Sequence, residues 1–350
     1  IADSNFGSGS QIGTSGWYCV YNGTGNGVEL TNLERLTDYS LQVVEYDPGP
    51  VYFTQAGQQN PIVVQTNIFS EQTGINLAGL SNGSVAWGDY DNNGYLDLLI
   101  TGTASGTYTG AAAKIYRNNG NNTFSDQVVI SLPGTAAGSA NWSDFNNDGY
   151  IDILLTGLDV NNNSVSGIFR NNGNNSFTGQ SDISITGVRE SSAEMTDLNN
   201  DGKPDIIITG TSVSGEVAKI YRNMGGNLFR EQQGINLPGV TSGSVTCADY
   251  DNDGFTDILL TGSGLSRIYR NSGNPYTMEF IEQQGINLPD ISKSSAAWGD
   301  YDADGDLDIL LTGYDITANI PVSHIYRNNN GIFEESGISL AGIAGSSVAD

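Results

Sequence analysis

The sequence predicts an all-β fold made of one four-stranded antiparallel unit repeated about five times. Three observations predict it. Five times, a run of small and apolar residues leads into a nine-residue acidic loop and then into an apolar strand. The loops begin at Asp89, Asp144, Asp197, Asp249 and Asp300, spaced 55, 53, 52 and 51 residues apart. The 46 glycines among 350 residues fit many turns and few long helices, and no stretch carries helical periodicity.

The elements follow in order along each unit. A unit is expected to open with a segment such as Phe69–Leu77, followed by a Gly/Ser-rich turn and a short strand, Val85–Gly88 in the first copy. The acidic loop comes next, then the strand Leu98–Gly102. A variable loop leads to Lys114–Arg117, and Asn118-Asn119-Gly120 turns the chain onward. Asn-Gly between β-like runs is a strong hairpin signal. The second strand is continuously apolar, as in Ile153-Leu154-Leu155, Ile206-Ile207-Ile208, Ile258-Leu259-Leu260 and Ile309-Leu310-Leu311. Such a run needs cover on both faces, which neighbouring units supply. A repeat of this length with four antiparallel strands is the blade of a β-propeller. A solenoid is the alternative, although its repeats are usually shorter.

A sixth unit is expected to begin at Ile332 and to stop at Asp350, aligned with Asp249 and Asp300. Residues 67–350 therefore read as part of a larger propeller, truncated at its C-terminus. A five-bladed ring is the alternative. Residues 1–66 lack the repeat. There Leu33–Tyr46 alternates like a strand, and its Leu36-Thr37-Asp38-Tyr39 entry resembles the tyrosine corner of a β-sandwich. With Tyr18–Leu30 as an earlier hairpin, this resembles the second half of a fibronectin type III-like module. No signal peptide is visible, and Ile1 reads as lying inside a longer protein.

A net charge of −26, with only 13 cationic residues, argues against a nucleic-acid partner. No apolar run reaches the ~20 residues a membrane-spanning helix needs. Eighteen of the 39 acidic residues sit in the five loops, and one divalent ion per loop would bring the charge from −26 to −16. The acidity is thus a metal-site signature. Cys247 stands where other repeats have Trp87, Trp142, Met195 and Trp298, so it reads as a buried apolar residue rather than a disulfide partner of Cys19.

A hard cation such as calcium takes six to eight oxygens at about 2.3–2.6 Å. Loop positions one, three and five carry Asp or Asn and can converge on one centre if the loop curls. Glycine at position six permits the bend, position seven can offer its backbone carbonyl, and an aspartate at position nine closes the shell. Lys203 at position seven fits a carbonyl ligand, since a cationic side chain could not serve. Without an ion, the carboxylates repel by roughly 4 kcal/mol per pair at about 4 Å and an effective dielectric of about 20. Position twelve is apolar (Ile100, Leu155, Ile208, Leu260, Leu311) and the flanks read as strands, so the pattern fits an EF-hand or a dockerin poorly. Magnesium fits less well because it demands stricter octahedral geometry.

The segment from Trp87 to Gly102, WGDYDNNGYLDLLITG, and its copies resemble FG-GAP/VCBS repeats, the calcium-loop propeller units also found in integrin α-chain heads and many secreted bacterial proteins. The resemblance covers residues 67–350. It implies calcium held by Asp89, Asp91, Asn93, the carbonyl of Tyr95, and Asp97 in the first loop. The matching sets are Asp144, Asn146, Asp148, Tyr150 and Asp152; Asp197, Asn199, Asp201, Lys203 and Asp205; Asp249, Asp251, Asp253, Phe255 and Asp257; and Asp300, Asp302, Asp304, Asp306 and Asp308. Asn93, Asn146 and Asn199 replace aspartate and lower the charge of the first three loops.

Arg117, Arg170, Arg222, Arg270 and Arg327 recur after an aromatic residue and before Asn, and are expected to brace loop carboxylates or carbonyls. His324, the single histidine, reads as a strand residue rather than a catalytic base, and no Ser–His or Cys–His arrangement can be assembled. The loops between the second and third strands vary most and belong on the face opposite the acidic loops. Tyr108, Asp159, Asn161, Tyr314 and Asp315 lie there and could meet a glycan or a protein.

The reading is a calcium-stabilised, secreted or cell-surface propeller used for binding or adhesion, and not an enzyme. Two alternatives stay open: a non-catalytic appendage of a secreted polysaccharide-acting enzyme, or a propeller that is itself a lyase or hydrolase. Extracellular calcium modules bind at about 0.1–1 mM.

Overall fold

The computed structural model describes residues 72–104, 106–274 and 277–345, together with four short strands between residues 38 and 65. The chain divides into two compact units, Ile1–Gly74 and Ile75–Asp350. In the first, β1 (Asp38–Leu41), β2 (Tyr46–Asp47), β3 (Val51–Tyr52) and β4 (Ile62–Gln65) form two antiparallel pairs, β1 with β4 and β2 with β3. Most of the segment expected to be fibronectin-like, including Cys19, lies outside the described residues.

The second unit is five four-stranded antiparallel sheets, each a simple meander. Blade one holds β5 (Val85–Gly88), β6 (Asp97–Thr103), β7 (Ala111–Asn118) and β8 (Phe124–Asp126). Blade two holds β9 (Ala140–Ser143), β10 (Asp152–Leu158), β11 (Ser164–Asn171) and β12 (Phe177–Gly179). Blade three holds β13 (Arg189–Thr196), β14 (Asp205–Ser212), β15 (Gly215–Asn223) and β16 (Phe229–Glu231). Blade four holds β17 (Val245–Ala248), β18 (Asp257–Gly262), β19 (Leu265–Asn271) and β20 (Phe280–Glu282). Blade five holds β21 (Ile291–Gly299), β22 (Asp308–Asp315), β23 (Ile320–Asn329) and β24 (Ile332–Glu335). The fold is therefore all-β and of propeller type, and the described residues contain no α-helix.

One expectation is corrected. The segments beginning at Phe124, Phe177, Phe229, Phe280 and Ile332 do not open units but close them, each pairing with the third strand of the blade before it. Ile332–Glu335 is accordingly the fourth strand of blade five, not the start of a sixth unit. Beyond it, Ile343 bridges Val322 as Val188 bridges Val165. Asp350 lies outside the described residues.

The apolar second strands explain the core. In β10, Ile153 and Leu155 pack toward blade one with Tyr90, Leu99 and Ile115, whereas Leu154 packs toward blade three with Ala193, Ile206 and Ile208. The same alternation recurs at the next two seams, through Ile207 and Leu259. A strand with partners on both faces cannot spare a polar position, which is why the alternating signal is lost. Trp142 and Trp298 stack on Tyr90 and Tyr250, the position-two residues of the preceding loops.

Main-chain hydrogen bonds also cross the seams. Ala137, Glu190 and Ser242 each donate their N–H to the carbonyl of the equivalent residue one blade earlier, Asn82, Ala137 and Glu190, at 2.7, 2.6 and 2.9 Å. All four sit in the left-handed region with φ of 47–51°.

Candidate metal centres

Each acidic loop joins the first strand of a blade to the second and is folded by its own carboxylates. The position-one aspartate accepts from the backbone N–H of positions five and six. In the first loop Asp89 takes Asn93 at 2.9 Å and Gly94 at 2.7 Å, and Asp144, Asp197, Asp249 and Asp300 repeat the pattern. Position five accepts in turn from the N–H of position seven, as Asn93 does from Tyr95 at 2.8 Å. Position four is left-handed in every loop, and glycine at position six has φ of 82–94°. These turns curl the loop as the sequence requires. The side chains of Tyr95, Tyr150 and Phe255 lie over Gly120, Gly173 and Gly273 of the turns that follow the third strands, where a Cβ would clash at 2.5–2.7 Å. In these three loops position seven thus spends its side chain on packing, leaving its carbonyl as the group it could contribute. In the other two, Lys203 pairs with Asp201 at 3.4 Å, and Asp306 accepts from Asn252 and the Asn330 N–H.

The position-nine aspartates are the most buried members. Asp97, Asp152, Asp205 and Asp257 are 0% exposed. One oxygen accepts from the position-two N–H and the other from the N–H of the asparagine after the recurring arginine, at 3.2 and 2.7 Å for both Asp152 and Asp205. Burial pushes the Asp152, Asp205 and Asp257 carboxyls up to about 7 and that of Asp97 to about 6. The two N–H donors oppose this shift, and the neighbouring loop carboxylates add to it.

The arginines brace the loops of their own blades. Arg170 pairs with Asp148 at 3.0 Å, Arg222 with Asp201 at 3.1 Å, and Arg327 with Asp302 and Asp304 at 2.6 and 2.8 Å. Arg117 pairs with Asp91, and Arg270 with both Asp251 and Asp253. Each guanidinium takes Oδ2 of its partner.

The loop oxygens carry the test of fit for a cation. One oxygen each from Asp89, Asp91 and Asp97 lies within 4.8 Å of the others, as do those of Asp249, Asp251 and Asp257 and those of Asp300, Asp302 and Asp304. At position three, Oδ1 of Asp91, of Asn199 and of Asp251 is buried with no hydrogen-bond partner. Buried acceptors left unpaired are costly, and a hard cation bound by oxygen donors would satisfy them. The loops differ here: Asn146 Oδ1 accepts from the Asp148 N–H at 2.9 Å, and the Asp300, Asp302 and Asp304 cluster is exposed.

Two sets of asparagines were not singled out from the sequence. At position four, Asn92 donates through Nδ2 to the Gly149 carbonyl of the next loop at 2.8 Å. Asn147 and Asn200 donate likewise to Gly202 and Gly254, at 2.9 and 2.7 Å. Asn252 reaches Asp306 Oδ1 at 3.1 Å. In the other direction, Asn171, Asn223, Asn271 and Asn328 donate to the position-two carbonyls of the preceding loops (Tyr90, Phe145, Leu198, Tyr250) at 2.8–2.9 Å. The signal was present: Asn fills position four in four of five loops, and an Asn follows every recurring arginine.

The remaining candidates take structural roles. His324 Nδ1 lies 2.7 Å from Glu335 Oε1 across the β23–β24 pair. On the variable loops, Asp159 accepts from Asn163 and Asn161 N–H groups, Asp315 accepts from Thr317 and Ala318, and the Tyr314 hydroxyl donates to the Asn319 carbonyl. Hydrogen bonds from Asn163, backbone first, hold the Asp159 carboxyl below the usual range. Tyr108 sits in a 3-10 turn, Tyr108–Gly110. Cys247 is free and packs against the seam between blades three and four, where burial pushes its thiol well above the ordinary value.

Repeated acidic loops set in antiparallel blades define a propeller-type repeat protein. The FG-GAP-like repeat family matches residues 103–155, 144–208, 197–260 and 249–311, and the chain belongs to that family. No curated protein matches the chain. Among solved structures it is similar to an Agrocybe aegerita lectin described as recognising non-reducing terminal N-acetylglucosamine. That likeness has 19% identity and a TM-score of 0.45, and covers 72% of this chain and 64% of that one.

Proposed function

We propose that this chain is a calcium-stabilised binding module of an extracellular protein, with one ion per acidic loop and a glycan or protein ligand on the opposite face. The observation that carries the calcium reading is the buried, unpartnered Oδ1 of Asp91, Asn199 and Asp251, each set among the carboxylates of its loop. In each loop the ligands would be the side chains of positions one, three, five and nine and the position-seven carbonyl. The ion supplies charge neutralisation and ligand cross-linking, so its binding energy becomes folding energy. Binding rather than catalysis is supported by the engagement of the single histidine with Glu335 and of Asp159 and Asp315 with their own turns. Turns fixed in this way present a preorganised surface, which lowers the entropic cost of recognition.

The test is thermal melting of the ion-stripped chain with and without about 1 mM calcium, followed by a glycan array under both conditions. Calcium should raise the melting temperature and permit array binding. Melting that is indifferent to calcium would sink the metal reading, and turnover of a polysaccharide would sink the non-enzymatic one.

A further inference from the structure

The geometry points to a coupled row of metal loops rather than five independent sites, with the interloop asparagines as its positioning residues. This inference rests on the calcium reading above.

Take the junction between the second and third loops. Asn147 of the second loop donates to the Gly202 carbonyl, in the peptide immediately before position seven of the third. Asn223, from blade three, donates back to the Phe145 carbonyl, which lies between positions one and three of the second loop. The same Asn223 donates its own N–H to Asp205, the position-nine carboxylate of the third loop, at 2.7 Å. A closed circuit of hydrogen bonds thus joins the ligand-bearing backbone of one loop to a ligand of the next. An ion that fixes positions one and three of the second loop also fixes the Phe145 carbonyl. That holds Asn223, and with it Asp205, in place for the following ion. Coupling of this kind is reciprocal. The forward series stops at Ala303, which occupies position four of the fifth loop at φ of 58° and offers no donor.

The experiment is a calorimetric titration of the full chain with calcium, comparing the wild type with an Asn147→Gly, Asn200→Gly double variant. Both side chains are exposed at their hydrogen bonds, and glycine keeps the left-handed backbone while deleting the donor. Ala303→Gly is the control, since it changes the same loop position without removing a hydrogen bond. Circular dichroism verifies that each variant is folded. The wild type should titrate with a Hill coefficient above one. In the double variant the curve should flatten toward independent sites, with affinity at the linked loops weakened about fivefold, while Ala303→Gly leaves the coefficient unchanged. Calcium uptake by independent sites in the wild type, or a double variant that titrates like it, overturns the coupling and leaves the calcium reading standing. No uptake by the wild type at about 10 mM calcium removes the calcium reading and the coupling with it.

Discussion

Tyr90 and Phe145 occupy the same loop position and differ by one hydroxyl, which in Tyr90 is buried with nothing to bond. Tyr90→Phe should therefore raise unfolding stability by about 1 kcal/mol, because it removes an unpaired buried polar group and keeps the ring under Trp142. Urea denaturation of the two proteins measures this, and a destabilised variant would show that the hydroxyl has a partner. At this scale much of the site was legible. The convergence of carboxylates in the first, fourth and fifth loops follows from the spacing, and the arginines brace the loops as the repeat leads one to expect. The second task of the position-nine aspartates, accepting two backbone N–H groups, was hidden because its donors are main-chain groups that no side-chain pattern reports. The position-four asparagines were hidden differently. A left-handed turn accounts locally for Asn, so nothing required a further role in the next loop.

Strand content and the two-faced second strands are readable from the apolar runs, but the grouping of strands into blades differs from the one the repeat boundaries suggest. The hairpin signal held the answer. A tight turn pairs the strands it joins, so the segment after Asn118-Asn119-Gly120 had to close its own blade. Entry into the first strand depends on a close backbone approach. A Cβ on Gly138 would lie 2.1 Å from the Thr156 carbonyl oxygen, and Gly83 and Gly243 stand in the same relation to Thr101 and Thr261. Gly138→Ala should cost ~3 kcal/mol through forced displacement of that backbone, read as a lower denaturation midpoint. Serine stands at this place in blades three and five, as Ser191 and Ser294, and there the first strand is longer and carries a register shift. The same substitution in a blade of the first kind meets the clash without the bulge.

Over the whole chain the dominant quantity is the net charge of −26. The buried loop aspartates give it a pH signature. Their folded-state carboxyls sit at about 7 for Asp152, Asp205 and Asp257, against an ordinary value of 3.8. The folded state thus binds more protons than the unfolded chain between these limits. Their contribution to stability is full below about pH 4 and is lost as pH rises through about 7. Ion-stripped protein should accordingly melt at a lower temperature at pH 8 than at pH 5. On the calcium reading proposed above, in which the ion takes deprotonated carboxylates, calcium should raise melting more at pH 8. Scanning calorimetry at the two pH values, with and without the ion, checks both statements, and a pH-independent melt of the stripped protein would contradict the first. The main-chain bonds that cross the seams have a different consequence. Asn82, Ala137, Glu190 and Ser242 share no side-chain chemistry, yet each presents the same carbonyl or N–H to its neighbour. A join written in backbone atoms asks only that the residue accept a left-handed turn. A blade could therefore be copied, lost or exchanged during evolution without rewriting the residues at its border.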